Sequence, residues 1–185
     1  MTNAIAVLDR VQSTDIDSYN RTGVSSVDFD NGWVAQLLTQ SATAGKTETW
    51  VATIPTTANS GLKNLWMAYS PEVVSVISGT NVFKGIDVDP QHFYTVAGDY
   101  IDYFKPQVGD IITLTADALG GTKASALYVQ VDATNNVYKL TWGTVSTVAG
   151  LSLKWLKTTT ISKPAGAISG SDQVVAYQFE VASIA

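Results

Sequence analysis

The sequence predicts an all-β fold, either an antiparallel β-sandwich or a small β-barrel of about nine short strands with an extended N-terminal arm. Short runs in which apolar and polar residues alternate recur roughly every 8 to 15 residues, a spacing typical of such folds. Clusters of Gly, Pro, Asn and Asp separate these runs, as turns separate the strands of a sheet. The sequence contains no repeat with a period of about 20–50 residues, so we do not expect a solenoid.

Composition narrows the classes of function. The chain of 185 residues is long enough for one packed domain, with room for an arm or a small lobe. It is 45% hydrophobic and only 15% charged, whereas roughly a quarter of the residues in ordinary globular chains are charged. This low charge density indicates that neighbouring subunits or a larger assembly cover part of the surface. The net charge of −5 and the lack of clustered Lys and Arg argue against a nucleic-acid partner.

The sequence also argues against disulfides and against a membrane partner. It contains no cysteine, which excludes disulfides and thiolate metal sites. At the N-terminus, no positively charged region precedes a sustained apolar run, so no secretory signal is predicted. No apolar run approaches the ~20 residues that a transmembrane helix needs. We therefore expect a soluble chain.

Residues 1–22 are predicted to form an extended arm. Apolar residues between Ile5 and Val11 fall at helical spacing for two turns, but polar clusters then break the pattern. A helix that short is marginal in isolation. We expect the arm to be dispensable for folding. The predicted division is an arm at 1–22 and one β-rich domain at 23–185, or alternatively a hairpin region at 23–79 and a barrel at 80–185.

The N-terminal half contains several predicted strands. A β-hairpin is predicted at 24–38, with Asp30-Asn31-Gly32 as its turn. Further strands are predicted at 47–54, 65–69 and 73–77. The run at 65–69 is almost continuously apolar, so we expect a buried strand there.

The segment 90–104 fits two interpretations. Asp89 and Pro90 are residues typical of a helix N-cap and first turn, and apolar residues recur at helical spacing as far as Phe104. Gly98 and the aromatic, β-branched composition favour a strand instead. One or two helical turns and a strand both remain open here.

The C-terminal half alternates more regularly. Leu127, Val129 and Val131 alternate with polar residues, and Gly120-Gly121 interrupts the chain before them. The strands predicted in this half lie at 111–116, 127–131, 138–142, 151–155 and 175–181. A loop is predicted at 163–171.

No constellation of catalytic residues is recognisable, so the sequence predicts a protein that is not an enzyme. No catalytic, cofactor-binding or metal-binding residue is assigned and no cofactor is expected, because the chain lacks the common nucleophile, zinc, phosphate and dinucleotide motifs. His92 is the only histidine and is followed by Phe93 and Tyr94. We interpret it as a surface or packing residue.

Three Asp-x-Asp pairs form the recurring acidic feature. On a strand, residues i and i+2 point to the same face, so each pair could present two carboxylates to a hard cation such as Ca²⁺. Aspartate also bonds its own backbone in turns, which explains the pairs equally well. The pairs are Asp15/Asp17, Asp28/Asp30 and Asp87/Asp89.

The five tryptophans form a second candidate feature. They could build a face that stacks on sugars, as in a carbohydrate-binding module. Most of them lie inside apolar runs, where a role in the core is the simpler interpretation. They are Trp33, Trp50, Trp66, Trp142 and Trp155.

Three segments together resemble a group of head and decoration proteins from tailed bacteriophages. They are the turn and strand at 30–37 (DNGWVAQL), the strand and Pro-Glu element at 65–73 (LWMAYSPEV), and the Gly-Asp-Ile element at 108–115 (VGDIITLT). Their order and rough spacing are similar over residues 25–120. The resemblance supplies no set of functional residues.

The resemblance implies a non-enzymatic virion structural protein. Such a protein would bind the outside of a phage capsid as a decoration (cement) protein and stabilise it through contacts with the major capsid protein. Further copies of the chain are also expected partners, and strand edges and the arm are expected contacts. The alternative is a carbohydrate- or receptor-binding β module of a phage particle.

Overall fold

The structure is a computed structural model, which describes residues 2–56, 62–78, 80–85, 87–132, 134–135, 137–144, 150–163 and 173–184. The fold is all-β, as predicted, and short 3₁₀ turns join some of the strands. In chain order the strands are β1 (Ala6–Arg10), β2 (Asn20–Val24), β3 (Val34–Gln40), β4 (Trp50–Thr53), β5 (Leu65–Ala68), β6 (Ser75–Ser78), β7 (Asn81–Lys84), β8 (Tyr100–Phe104), β9 (Ile111–Thr115), β10 (Leu119–Gly120), β11 (Tyr128–Val131), β12 (Leu140–Gly143), β13 (Ser152–Ser162) and β14 (Gln173–Ser183).

The strands form an open sheet, a closed barrel and a separate hairpin. The open sheet has the order β1-β9-β14-β13-β11-β12-β10, and the five-stranded barrel has the order β2-β4-β3-β5-β8. Neighbouring strands are antiparallel except for β10 with β12 and β2 with β4. The hairpin β6–β7 pairs with neither sheet. Both main sheets therefore combine strands that are distant in the sequence.

The barrel wall is buried on both of its faces where it meets the open sheet. In β5, Trp66 and Ala68 point into the barrel, while Leu65 and Met67 point outwards onto the open sheet. All four are buried, which confirms the buried strand predicted there. Strands whose two faces are covered read as continuous apolar runs because neither set of alternating side chains meets water.

Two hydrophobic cores result. The core inside the barrel is formed by Phe29, Ala35, Leu37, Ala52, Trp66, Ala68, Ile101 and Tyr103. The core between the barrel and the open sheet includes Val34, Leu65, Met67 and Phe104 from the barrel, and Ile112, Leu114, Val129, Leu140, Leu153 and Phe179 from the sheet. The second core joins the two sheets.

The hairpin predicted at 24–38 is wrong. Strand β3 pairs with β4 and β5, Val24 ends β2, and residues 25–29 contribute only an isolated bridge between Phe29 and Thr95. The turn itself is present, but its side chains bond distant segments. Asn31 exchanges hydrogen bonds with the backbone of Ser70, and Asp30 accepts one from the N–H of Ala4. These bonds tie the turn to other parts of the fold and not to a preceding strand.

The predicted extended N-terminal arm is not confirmed. Strand β1 pairs with β9 in the open sheet, and the Ile5 side chain is only 2% exposed. The N–H of Ile5 donates to Oγ1 of Thr115, and two 3₁₀ turns then lead to β2 of the barrel. The polar residues that break the helical pattern therefore form a link between the two sheets.

The structure also resolves the segment 90–104. A single 3₁₀ turn at Pro90–His92 follows Asp89, whose Oδ1 accepts the N–H of Gln91, and strand β8 begins at Tyr100. The N-cap signal is therefore real, but the helix ends after one turn and the strand follows.

The described residues hold fourteen strands and not about nine, because polar or very short runs such as β2 and β10 also pair. The predicted domain limits stay a prediction, and the loop predicted at 163–171 lies, beyond Lys163, outside the described residues.

Two isoleucines test whether residues 1–22 are docked. We expect Ile5→Ala to lower the free energy of unfolding by about 2–5 kcal/mol, because it removes a buried side chain. Ile16→Ala, at a site that is 40% exposed, should change it by less than about 0.5 kcal/mol. Urea unfolding of the two variants measures both values. Equal, near-zero effects would mean that the segment is a free arm after all.

Gly32 tests the packing of the turn against the open sheet. Its φ is +83°, and a Cβ would lie 2.7 Å from Cδ2 of the buried Leu114. We expect Gly32→Ala to cost about 2–4 kcal/mol from backbone strain and overpacking together. The control is Gly45→Ala, where φ is +80° but the space is open, so only the strain of about 1–2 kcal/mol remains. Thermal or urea unfolding compares them, and equal losses would show that the contact with Leu114 costs nothing.

Candidate functional site

Three features that are separate in the sequence lie close together in the fold: the pair Asp28/Asp30, Trp33 and His92. They line a cleft of about 530 Å³, which we name the acidic cleft and which is formed by Asp28, Asp30, Trp33, His92, Tyr94 and Lys139 together with the N-terminal segment. The turn before β3 carries Asp28, Asp30 and Trp33. The 3₁₀ turn at Pro90–His92 positions His92, and Lys139 lies directly before β12.

Asp30 is the most unusual group of the acidic cleft. Its carboxylate is buried, and Oδ2 accepts the N–H of Ala4 at 3.0 Å. Within the described part of the chain, Oδ1 accepts no hydrogen bond. Burial raises the pKa of Asp30, although the Ala4 N–H and the charge of Lys139 lower it in part. The cleft therefore contains a desolvated carboxylate with an unused acceptor.

The other carboxylates near the cleft mainly hold turns. Asp28 Oδ1 accepts the N–H of Ala97 at 2.9 Å, and Asp87 Oδ1 accepts the N–H of Asp89 at 2.9 Å. The N–H of Asp89 and the ring of His92, whose Nδ1 lies 2.5 Å from Asp87 Oδ2, hold the pKa of Asp87 below its usual range. The bond from the N–H of Asp89 to Asp87 is typical of aspartate in turns, whereas Asp28 binds a segment that is distant in the sequence.

The Asp-x-Asp pairs do not assemble a cation site in the described residues. Among these residues, no group of three or more His, Asp and Glu side chains is arranged to hold a metal ion. Asp15 and Asp17 are exposed in the 3₁₀ turns between β1 and β2. The two carboxylates of the pair Asp28/Asp30 accept hydrogen bonds from different segments, at Ala97 and Ala4.

A buried ion pair closes the back of this region. Nζ of Lys163 lies 3.3 Å from Oδ2 of Asp89, and the exposed fractions of the two side chains are only 2% and 0%. Asp89 also caps the 3₁₀ turn that carries His92. The pair thus ties the end of β13 to that turn. It fixes the position of His92 and is too deeply buried to serve as a binding group itself.

Trp33 separates the acidic cleft from a second cleft of similar size. Its ring stacks parallel to Tyr138 with centroids 6.2 Å apart, and Phe29 packs edge-on at 5.3 Å. Nζ of Lys139 lies 5.5 Å from the centroid of Trp33, a cation–π distance. The second cleft, which we name the turn cleft, also has a volume of about 530 Å³ and is lined on its far side by Gly120, Gly121, Asp132, Asn135 and Thr141.

The remaining tryptophans pack against other side chains. Trp66 is buried inside the barrel, and the guanidinium of Arg21 lies over the rings of Trp50 and Trp66 at 3.7 and 4.4 Å. Trp142 packs edge-on against Tyr177, and Nζ of Lys123 lies 3.8 Å from the ring centroid of Trp155. The interpretation of these four as packing residues agrees with these contacts, whereas Trp33 lines two clefts.

A neighbouring surface lies at the hairpin β6–β7 and shares His92 and Tyr94 with the acidic cleft. We name the exposed apolar side chains on the hairpin and on the segments beside it the hairpin surface: Val73, Val76, Phe83, Val96 and Tyr100. Val76 and Phe83 are opposite each other in the hairpin. Val73, Val96 and Tyr100 line a cleft of about 340 Å³ together with Lys84 of β7. This surface could not be predicted from the sequence, for two reasons. Apolar and polar residues do not clearly alternate in β7, and the segment 93–100 lies beside the hairpin only in the folded protein.

Comparison of the chain with protein-family models, curated proteins and solved structures found no match. Within the described residues, no helix has the length and apolar character needed to cross a bilayer.

Opposite pH dependence is expected for two aspartates. The raised pKa of Asp30 means that its ionisation weakens the native state as pH rises above the unfolded value of about 3.9. Asp30→Asn should therefore gain stability relative to the parent at neutral pH, and this gain should vanish in acid. The pKa of Asp87 is lowered in the folded protein, so its ionised form stabilises the native state at pH values above the unfolded pKa of about 3.9. This stabilisation is lost as the pH falls through the folded pKa. Asp87→Asn should therefore lose stability at neutral pH, and this loss should vanish in acid.

Urea unfolding of both variants at a series of pH values measures these differences. The parent protein at each pH is the reference, so changes common to all carboxylates cancel. The same sign for both variants at neutral pH would contradict the assigned environments of the two carboxyl groups.

Proposed function

We propose that the protein is a non-enzymatic structural protein of a tailed-phage particle, which binds the outside of the capsid as a decoration protein and stabilises it through the major capsid protein. The observation that carries the proposal is the hairpin surface. It presents five large apolar side chains on and beside a hairpin that belongs to neither main sheet.

The exposed apolar character of this surface supports contact with another protein. Groups of large exposed apolar side chains on soluble proteins commonly mark interfaces, because water contact costs about 25 cal/mol per Å² of apolar area. Tyr100, at 54% exposure, supplies an aromatic ring beside the aliphatic side chains, and aromatic residues are enriched in interfaces. The low overall charge of the chain supports the same view, since charged residues are depleted at interface cores.

The position of the hairpin also suits docking. A hairpin outside the main sheets can adjust to a partner without disturbing either core. The outer edge of β1, which pairs with no second strand in the described residues, is a less suitable contact. Asp9 and Arg10 are exposed there, and charged residues protect sheet edges from pairing with other chains.

The resemblance of three segments to decoration proteins supports the same assignment. On this proposal the protein is located on the virion surface after synthesis in the host cytoplasm. Its partners are the major capsid protein and, in an oligomeric form, further copies of the chain. It requires no cofactor, and neither nucleic acid nor a membrane is a partner.

A double variant of the hairpin tests the proposal. Replacing Val76 and Phe83 by Ser removes two exposed apolar groups from the hairpin surface. We expect binding to capsids that lack the protein to weaken at least about tenfold, which corresponds to ~1.4 kcal/mol. The unfolding midpoint should hardly change, because the hairpin lies outside both main sheets. Co-sedimentation with such capsids measures the binding.

The control is Val175→Ser, which changes a valine on β14 that is more exposed than Val76 and belongs to the open sheet and not to the hairpin. It should bind capsids as the parent does. Sedimentation of the free protein separates loss of self-association from loss of capsid contact. The proposal fails if the parent does not bind capsids, or if the hairpin variant binds them as tightly as the parent.

A further inference from the structure

We propose that the acidic cleft binds a neutral oligosaccharide, with Trp33 and Lys139 at its centre. This goes beyond the proposed attachment to a capsid and does not depend on it. The cleft has a volume of about 530 Å³, within the range of small-molecule sites. Trp33 and Lys139 also line the turn cleft, so a longer ligand can continue on the other side of the same two residues.

The aromatic part of the site is already held in place. Tyr138 and Phe29 contact two sides of the Trp33 ring, at an interplanar angle of 3° and edge-on respectively. The ring therefore loses little conformational freedom when a ligand binds. Tyr94 adds an exposed aromatic ring to the lining of the cleft. Rings of this kind offer flat apolar faces to the C–H groups of a sugar.

The polar part of the site offers both acceptors and a donor. Oδ1 of Asp30 is an acceptor without a hydrogen bond in the described chain, and Asp28 adds an exposed carboxylate. The ammonium of Lys139 is not within ion-pair distance of any described carboxylate and is a free donor. Sugar hydroxyls both donate and accept, so one ligand can satisfy all of these groups.

The lining also excludes other classes of ligand. No aliphatic side chain lines the acidic cleft, so its apolar surface consists of the aromatic rings of Trp33 and Tyr94. Two carboxylates against one ammonium disfavour a polyanion such as nucleic acid or a sulfated glycan. The described residues form no group able to hold a metal ion, which leaves a hard cation without sufficient ligands. A neutral, polyhydroxylated ligand fits these features.

The test is binding of a panel of neutral di- to tetrasaccharides of glucose, galactose, mannose and N-acetylglucosamine, with sialylated and sulfated analogues included. Saturation-transfer NMR on the intact protein detects binding, and titration gives the affinity. We expect at least one neutral member to bind in the millimolar range or tighter. Lys139→Met keeps an apolar stem over Trp33 and removes the ammonium, and Tyr94→Ala removes an exposed ring. Each should weaken binding about tenfold or more.

The matched control is Tyr100→Ala, which removes a tyrosine that is more exposed than Tyr94 and does not line the acidic cleft. Its sugar affinity should equal that of the parent, whereas its contact with capsids belongs to the hairpin surface. Because Tyr94 and Lys139 lie on different segments, misfolding of one variant leaves the other as a test. The proposal is overturned if no neutral member binds, if only anionic members bind, or if folded Lys139→Met and Tyr94→Ala proteins keep the parent affinity.

Discussion

The fold depends on barrel strands that are buried on both faces. In β5, alternate side chains fill the barrel and their neighbours pack on the open sheet, and Val34 of β3 and Phe104 of β8 extend that second contact. Burial of a large apolar side chain contributes on the order of 1.5–3 kcal/mol, so a strand with two covered faces gains on each of them. The barrel strands that pack on the open sheet therefore fix the orientation of the barrel. They also fix the positions of the turns that connect these strands.

The acidic cleft arises from this arrangement. Its residues come from the turn before β3, from the 3₁₀ turn before β8 and from the segment before β12. These three segments meet because the barrel packs against the open sheet. The N-terminal segment completes the cleft, since Asn3 donates its N–H to the carbonyl of Gln91 and Ala4 donates to Asp30. The burial of Asp30 is thus a consequence of docking the N-terminal segment. Oδ2 of Asp30 thus holds the N-terminal segment, while Oδ1 of the same carboxylate accepts no hydrogen bond in the described residues.

The sequence was most informative where alternation is strict or burial is complete. The strands around Ile112, Val129 and Leu153 were predicted because period-two alternation reports which face of a strand is covered. Alternation does not report which strand lies alongside, so the pairing of β3 with β4 and β5 could not be predicted. Strand β2, with the sequence NRTGV, has almost no apolar signal, and its pairing with β4 and β8 holds it in the barrel.

The candidate site was predictable only in parts. The pair Asp28/Asp30, Trp33 and His92 stood out as three separate features, but nothing in the sequence indicates that these three share a cleft. Lys139 gives no signal in the sequence, because an isolated lysine in an alternating strand is the ordinary residue for a solvent face. Only the fold shows that it lies over Trp33.

Strand β9 has a further consequence for how the protein is made, since Leu114 pairs with Ala6 of β1 on one side and with Tyr177 of β14 on the other. During synthesis the barrel strands have all emerged once β8 has been made, whereas β9 has no partner on one side until β14 follows. Pairings between such distant segments slow folding, so we expect the open sheet to form after the barrel.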